Sequence, residues 1–253
     1  MTTLAIAGKG GVGKTTVSGL FIEALRRRRG PVLAVDADPN ATLGETLGLG
    51  VEMTIGKMQA DTLARIRDLP SGVPLGRYLE SELHYAISEG SGVDLLTMGQ
   101  GEGPGCYCAV NSILRRCLES LTASYPSVVL DNEAGLEHLS RRVARGGDAL
   151  VVVSDGNPVA LQAAARIAGM IDELQLDFPR RGLLLNNLRG ELSERARSAL
   201  SATGLPVIGE LAHDEEIEKL NLNARPLGEL PDDNPCLRRV QEILDTWLEV
   251  EAP

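Results

Sequence analysis

Residues 8–15 read GKGGVGKT, the spacing Gly-x-x-x-x-Gly-Lys-Thr. That spacing cradles phosphate groups. Gly8, Gly10, Gly11 and Gly13, with Val12 between them, allow backbone amides to turn inward and leave a phosphate's approach clear. A helix opening near Lys14 aims its positive end at the same point. Lys14 is expected to reach the β- and γ-phosphates, Thr15 to ligate Mg²⁺ through its hydroxyl, and Thr16 to contact the α-phosphate side. Three aspartates stand where strands should end: Asp36 and Asp38 in VDADPN (35–40) and Asp131 in VVLDNEAG (128–135). A second chemistry is offered by Cys106 and Cys108 in GPGCYCAVN (103–111). Thiolates suit Ni²⁺, Zn²⁺ or an iron–sulfur cluster. A closed site wants four ligands, so the other two could come from a second copy of the chain. A helix starting near Ala109 favours the thiolate forms, and Gly103, Pro104 and Gly105 give the loop room.

These residues need a frame. Short apolar runs without polar alternation mark strands buried on both faces: 3–7, 32–36, 93–98, 127–131, 149–154, 182–186 and 206–211. Helical patterns fall at 14–29, 75–88, 110–124, 158–175, 191–203 and 236–250, and 48–92 is a weaker excursion. The alternation predicts an α/β fold, one mostly parallel twisted sheet with helices on both faces, in a single domain over 1–253. Carboxylates at the carboxyl ends of such strands lie where ligands bind.

Composition narrows the partners. The 253 residues carry a net charge of −10, which argues against nucleic acid. No run is long and apolar enough for a bilayer, and LAIA before Gly8 is too short for a signal-peptide core. A cytoplasmic protein is the expectation. Cys117 falls on the apolar face of the 110–124 helix and reads as packing. Cys236 and the three histidines, His84, His138 and His213, are left outside the site.

Lys9, a second lysine early in GKGGVGKTT, resembles the deviant Walker A ATPases, the family of MinD, ParA and the nitrogenase iron protein. Both switch sequences match: VDADPN resembles the first and VVLDNEAG the second. The resemblance implies a P-loop NTPase fold of the SIMIBI type and a Mg²⁺-dependent ATPase cycling between ATP and ADP. It implies that Asp38 orients the attacking water, with Asp36 close to the Mg²⁺ shell and Asp131 holding Mg²⁺ through water. Lys9 would reach the partner's nucleotide across a homodimer. Asn186 in LLLNN matches the purine-contacting asparagine, and PVIGELAHD (206–214) resembles the adenine-side loop.

Within the family, GEGPGCYCAVN and DNEAGLEHLSR resemble the CooC-type accessory ATPases, which assist nickel insertion into carbon monoxide dehydrogenase. That resemblance implies one nickel or zinc site shared by the Cys106 and Cys108 pairs of two subunits, with the dehydrogenase as client. EAGLEHLSRR lacks the cysteine that the nitrogenase iron protein carries after its second switch. The last helix pairs Leu237, Val240, Ile243, Leu244, Trp247 and Leu248 with an acidic opposite face, Glu242, Asp245 and Glu249, so it is expected to dock on the core rather than on a membrane. Two alternatives stay open: a ParA- or MinD-like positioning ATPase, and an iron–sulfur carrier ATPase.

Overall fold

The computed structural model describes residues 1–65, 74–99, 108–132 and 147–248. The elements in chain order are β1 (Thr2–Gly8), α1 (Lys14–Arg29), β2 (Val32–Ala37), α2 (Leu43–Leu47), α3 (Ile55–Arg65), α4 (Leu75–Tyr85), β3 (Ile87–Glu89), β4 (Val93–Thr97), α5 (Cys108–Ala123) and β5 (Ser127–Asn132). They continue with β6 (Ala149–Ser154), α6 (Pro158–Glu173), β7 (Arg180–Leu188), α7 (Glu194–Ser201), β8 (Val207–Ala212), α8 (Glu215–Leu222) and α9 (Pro235–Thr246).

The strands form one sheet in the order β3-β4-β2-β5-β1-β6-β7-β8. Every pairing among them is parallel except β3 with β4. The helix predicted over 75–88 stops at Tyr85, and Ile87–Glu89 turns back as an edge strand with Ile87 opposite Leu96. The turn depends on Gly92, whose φ of 79° is left-handed, and on Gly90, where a Cβ would lie 2.7 Å from the Val93 carbonyl oxygen.

Successive strand residues point to opposite faces. Leu4 and Ile6 of β1, Ala34 of β2 and Val129 of β5 pack in one core with α1 and α9. Ala5 and Ala7, Val35 and Leu130 join the other, with Leu114 and Leu118 of α5 and Leu161 and Ala164 of α6. By the same alternation and register, Asp36, Asp131 and Thr97 stand side by side under the beginning of α1.

The arginine run that ends α1 serves the fold. Arg26 pairs with the buried Glu23 at 2.7 Å, Arg27 reaches Asp232 and the Leu230 carbonyl, and Arg28 holds Asp245 and the Gln241 carbonyl of α9. The last helix lies on the core as expected, with Leu237, Val240, Ile243 and Leu244 buried. Among the described residues no helix is long and apolar enough to cross a membrane.

Candidate functional site

The loop from Gly8 to Gly13 leaves β1 at the carboxyl edge of the sheet and runs directly into α1. At Gly8 the chain passes so close to β6 that a Cβ would stand 2.5 Å from the Val153 carbonyl oxygen. Gly13 has a left-handed φ of 86°, and a Cβ there would meet the Asn186 Nδ2 at 2.5 Å. Both positions therefore require glycine. Helix α1 starts without a side-chain cap and without an acidic residue in its first turn. Its first amides are thus left for an anion. Lys14 is buried there, Thr15 and Thr16 are half-buried, and Lys9, Gly10 and Gly11 are exposed on the loop.

The aspartates divide the work. Asp36 is fully buried, and both its oxygens are engaged: Oδ1 accepts from the Asp38 amide at 3.1 Å and Oδ2 from the Leu43 amide at 3.0 Å. It braces the 37–43 loop. Burial pushes its pKa up to about 7, helped by the neighbouring Asp131 and Asp38 charges, while the two amides pull it down. Asp38 is half-buried, and its Oδ1 accepts from the backbone and side-chain nitrogens of Asn40, both at 2.9 Å. Asp131 is buried; its Oδ1 accepts from the Ser18 hydroxyl at 2.9 Å, and its Oδ2 is buried with no partner among the described residues. Burial raises the Asp131 pKa, opposed by the Thr15 and Ser18 hydroxyls and by the Lys14 charge. An orphaned buried carboxylate oxygen beside a lysine and an uncapped helix fits a bound Mg²⁺–nucleotide.

Beside the loop opens a cleft of about 380 Å³, bounded by Gly11–Gly13, Thr16, Asn186, His213 and Asn221 among others. Asn186 donates through Nδ2 to the Val12 carbonyl at 3.0 Å. Asn187 holds a left-handed φ of 55°, beside a shift in the β7–β8 register. Its Oδ1 lies 2.8 Å from His213 Nδ1, so His213, left outside by sequence reasoning, belongs to the cleft wall. Asp214 caps α8 by accepting from the Glu216 and Ile217 amides, and Asn221 Nδ2 reaches the Thr16 hydroxyl at 3.4 Å. Cys236 also lines the cleft; burial raises its thiol to about 11, so it stays protonated.

Sequence reasoning missed Ser18, Asn187, His213 and Asn221. The Ser18 signal was legible as a polar residue on the buried face of α1. Asn187 sits on a register shift and Asn221 on a short helix, α8, that no apolar run announced, while His213 falls inside the PVIGELAHD stretch. Cys106, the side chain of Cys108, and residues 133–146 of the second switch lie outside the described residues. Among the described residues no group of three or more His, Cys, Asp or Glu could hold a metal ion; the thiols of the expected nickel or zinc site lie outside them.

Comparison with known proteins agrees with this geometry. Residues 3–227 match the CobQ/CobB/MinD/ParA nucleotide binding domain. An uncharacterized ATP-binding protein of Methanocaldococcus jannaschii is 38% identical over 244 residues, covering 96% of each chain. The carbon monoxide dehydrogenase accessory protein CooC of Rhodospirillum rubrum is 35% identical over 184 residues, 68% of this chain and 69% of that one. In structure, MinD in the Aquifex aeolicus MinC:MinD complex superposes with a TM-score of 0.71 at 18% identity, covering 100% of this chain and 98% of that one. With its phosphate loop, its carboxylates and its cleft at one edge of the sheet, the chain belongs to the CobQ/CobB/MinD/ParA nucleotide-binding family and is an ATPase.

Proposed function

We propose that the chain is an ATP-driven switch in which two identical chains close over Mg²⁺ and ATP, as the MinD and ParA relatives suggest. The observation that carries this reading is the buried Asp131 Oδ2, which has no partner among the described residues and belongs to a carboxylate close to Lys14 and Thr15 at the uncapped start of α1. In it, the Gly8–Gly13 amides and Lys14 hold the phosphates, Thr16 supports them, and Thr15 and Asp131 face the Mg²⁺. Asp36 braces the first switch so that Asp38 orients water. Asn186 fixes the wall against which the base lies, and the exposed Lys9 reaches the partner's phosphates. Mg²⁺ supplies charge neutralisation on the transferred phosphoryl group.

The test is molecular mass with and without a non-hydrolysable ATP analogue. The wild type should double its mass with the analogue, and Lys9→Ala should lose hydrolysis. A mass that ignores nucleotide would overturn the paired mechanism.

The likeness to MinD supports a positioning role for the switch, to be sought as ATP-dependent binding to DNA or to a partner protein. A specific observation favours a second reading: Cys106 and Cys108 in a chain 35% identical to CooC over 184 residues. There the closed pair assembles four thiolates around one Ni²⁺ or Zn²⁺ for delivery to a carbon monoxide dehydrogenase. That reading expects one metal ion per two chains, lost in Cys108→Ala. A brown protein after anaerobic reconstitution points instead to an iron–sulfur carrier. A metal-free protein that binds DNA with ATP leaves the positioning role.

A further inference from the structure

We infer that Ser18 is the positioning residue that holds the Asp131 carboxylate with its second oxygen presented to the nucleotide's metal ion. The inference rests on reading Asp131 as the carboxylate that faces Mg²⁺.

Ser18 lies inside α1 and is fully buried. Serine is a poorer helix former than alanine, because its hydroxyl competes for backbone partners. A hydroxyl removed from water also costs free energy unless it is bonded. A buried serine here needs a reason, and the 2.9 Å bond to Asp131 Oδ1 supplies it. The bond spans 113 positions, from α1 to the end of β5.

The consequence is directional. A carboxylate turns readily about its last torsion, since that torsion is broad. A donor on one oxygen fixes the plane and leaves the other oxygen facing a single way. In Asp131 the other oxygen is Oδ2, buried and without a partner among the described residues. Asp36, the neighbour in register, already has each oxygen bonded to a backbone amide. Thr15 also stands close enough to influence Asp131, but its hydroxyl is itself expected on the metal. Ser18 is one turn further along the helix and keeps its bond. Outer partners of this kind orient a ligand and typically change metal affinity about 10- to 100-fold when removed.

The experiment measures Mn²⁺ binding to the ADP complex from the electron paramagnetic resonance of free Mn²⁺. ADP affinity in EDTA is measured alongside. Ser18→Ala should weaken Mn²⁺ binding about tenfold or more, leave metal-free ADP affinity unchanged, and be rescued by Ser18→Thr. Asp131→Asn serves as the reference. If Asp131→Asn loses Mn²⁺ affinity while Ser18→Ala matches wild type, or if Ser18→Thr is as weak as Ser18→Ala, the positioning role fails and the reading of Asp131 stands. If Asp131→Asn also binds Mn²⁺ normally, the reading of Asp131 fails and Ser18 falls with it.

Discussion

Asn186 Nδ2 donates to the carbonyl oxygen of Val12 at 3.0 Å, joining the end of β7 to the phosphate loop across 174 positions. The bond holds the wall between the phosphate loop and the cleft. Removing it leaves the Val12 carbonyl to find water and frees the loop to sample shapes that cannot bind. Asn186→Ala should weaken ADP binding about tenfold, the equivalent of one hydrogen bond of about 1.4 kcal/mol. Titration with a fluorescent ADP analogue checks this, and an unchanged affinity would remove Asn186 from its place.

Gly13 faces the same amide. Alanine there meets Asn186 Nδ2 at 2.5 Å and must hold a φ of 86°, which costs an L-residue roughly 1–2 kcal/mol. Gly13→Ala should weaken nucleotide binding measurably, by more than the roughly tenfold that the backbone strain alone accounts for. Adding Asn186→Ala relieves the collision but not the backbone strain, so the double variant should recover only part. A double-mutant cycle on ADP affinity reads the coupling; strictly additive losses would mean the two residues do not touch.

The buried Asp36 sets a pH dependence. Its pKa of about 7 in the fold lies above the ordinary 3.8. Its contribution to stability is therefore full below about pH 4 and lost as pH rises through about 7. In metal-free, nucleotide-free buffer the melting temperature should fall between about pH 4 and pH 7. The ¹³C carboxyl shift of Asp36 identifies the group by titrating near neutrality. A midpoint in the ordinary carboxylate range would show that water reaches the site.

Much of this architecture was readable from residue order. The strand runs needed no alternation to be seen, since β1, β2, β5 and β6 are buried on both faces and therefore apolar apart from polar residues toward their ends. GKGGVGKT carried its own helix and strand, so the loop and Lys14 could be placed at once. The edges were harder. β3 is three residues long, and its pairing depends on the Gly90–Gly92 turn rather than on any pattern within it. Helix α8 depends on the Asp214 cap, and the cleft wall on the left-handed Asn187. Asp36 and Asp38 looked equivalent as strand-end carboxylates. Only the three-dimensional course of the 37–43 loop shows that the Asp36 carboxylate holds the amides of Asp38 and Leu43, while the Asp38 carboxylate is bonded to its near neighbour Asn40.

Asp38 is the more available of that pair. Its partner, Asn40, is an exposed residue two positions away that donates to Oδ1 through its backbone and side-chain nitrogens. Asp38→Ala should keep ATP and lose hydrolysis by roughly 10²-fold or more, the usual loss of a positioned acid–base group. Single-turnover hydrolysis against equilibrium ATP binding separates the two effects. Hydrolysis at the wild-type rate would move the water-orienting role elsewhere.

The last helix gives a test of a different kind, because one apolar face cannot serve two purposes. Leu237, Val240, Ile243 and Leu244 of α9 are buried against α1 and β8. Arg28 of α1 clasps the helix through Asp245 and the Gln241 carbonyl. If α9 belongs to the core, Leu244→Ala leaves a cavity and costs roughly 2–5 kcal/mol in urea unfolding. ATP binding should be little changed in the folded variant, since the cleft lies at the other end of α1. Anionic vesicles should not retain the wild-type protein with or without ATP, since the helix would have to undock and expose the core to reach them. Vesicle binding that is lost in Leu244→Ala, without a fall in stability, would instead make α9 a membrane-seeking helix.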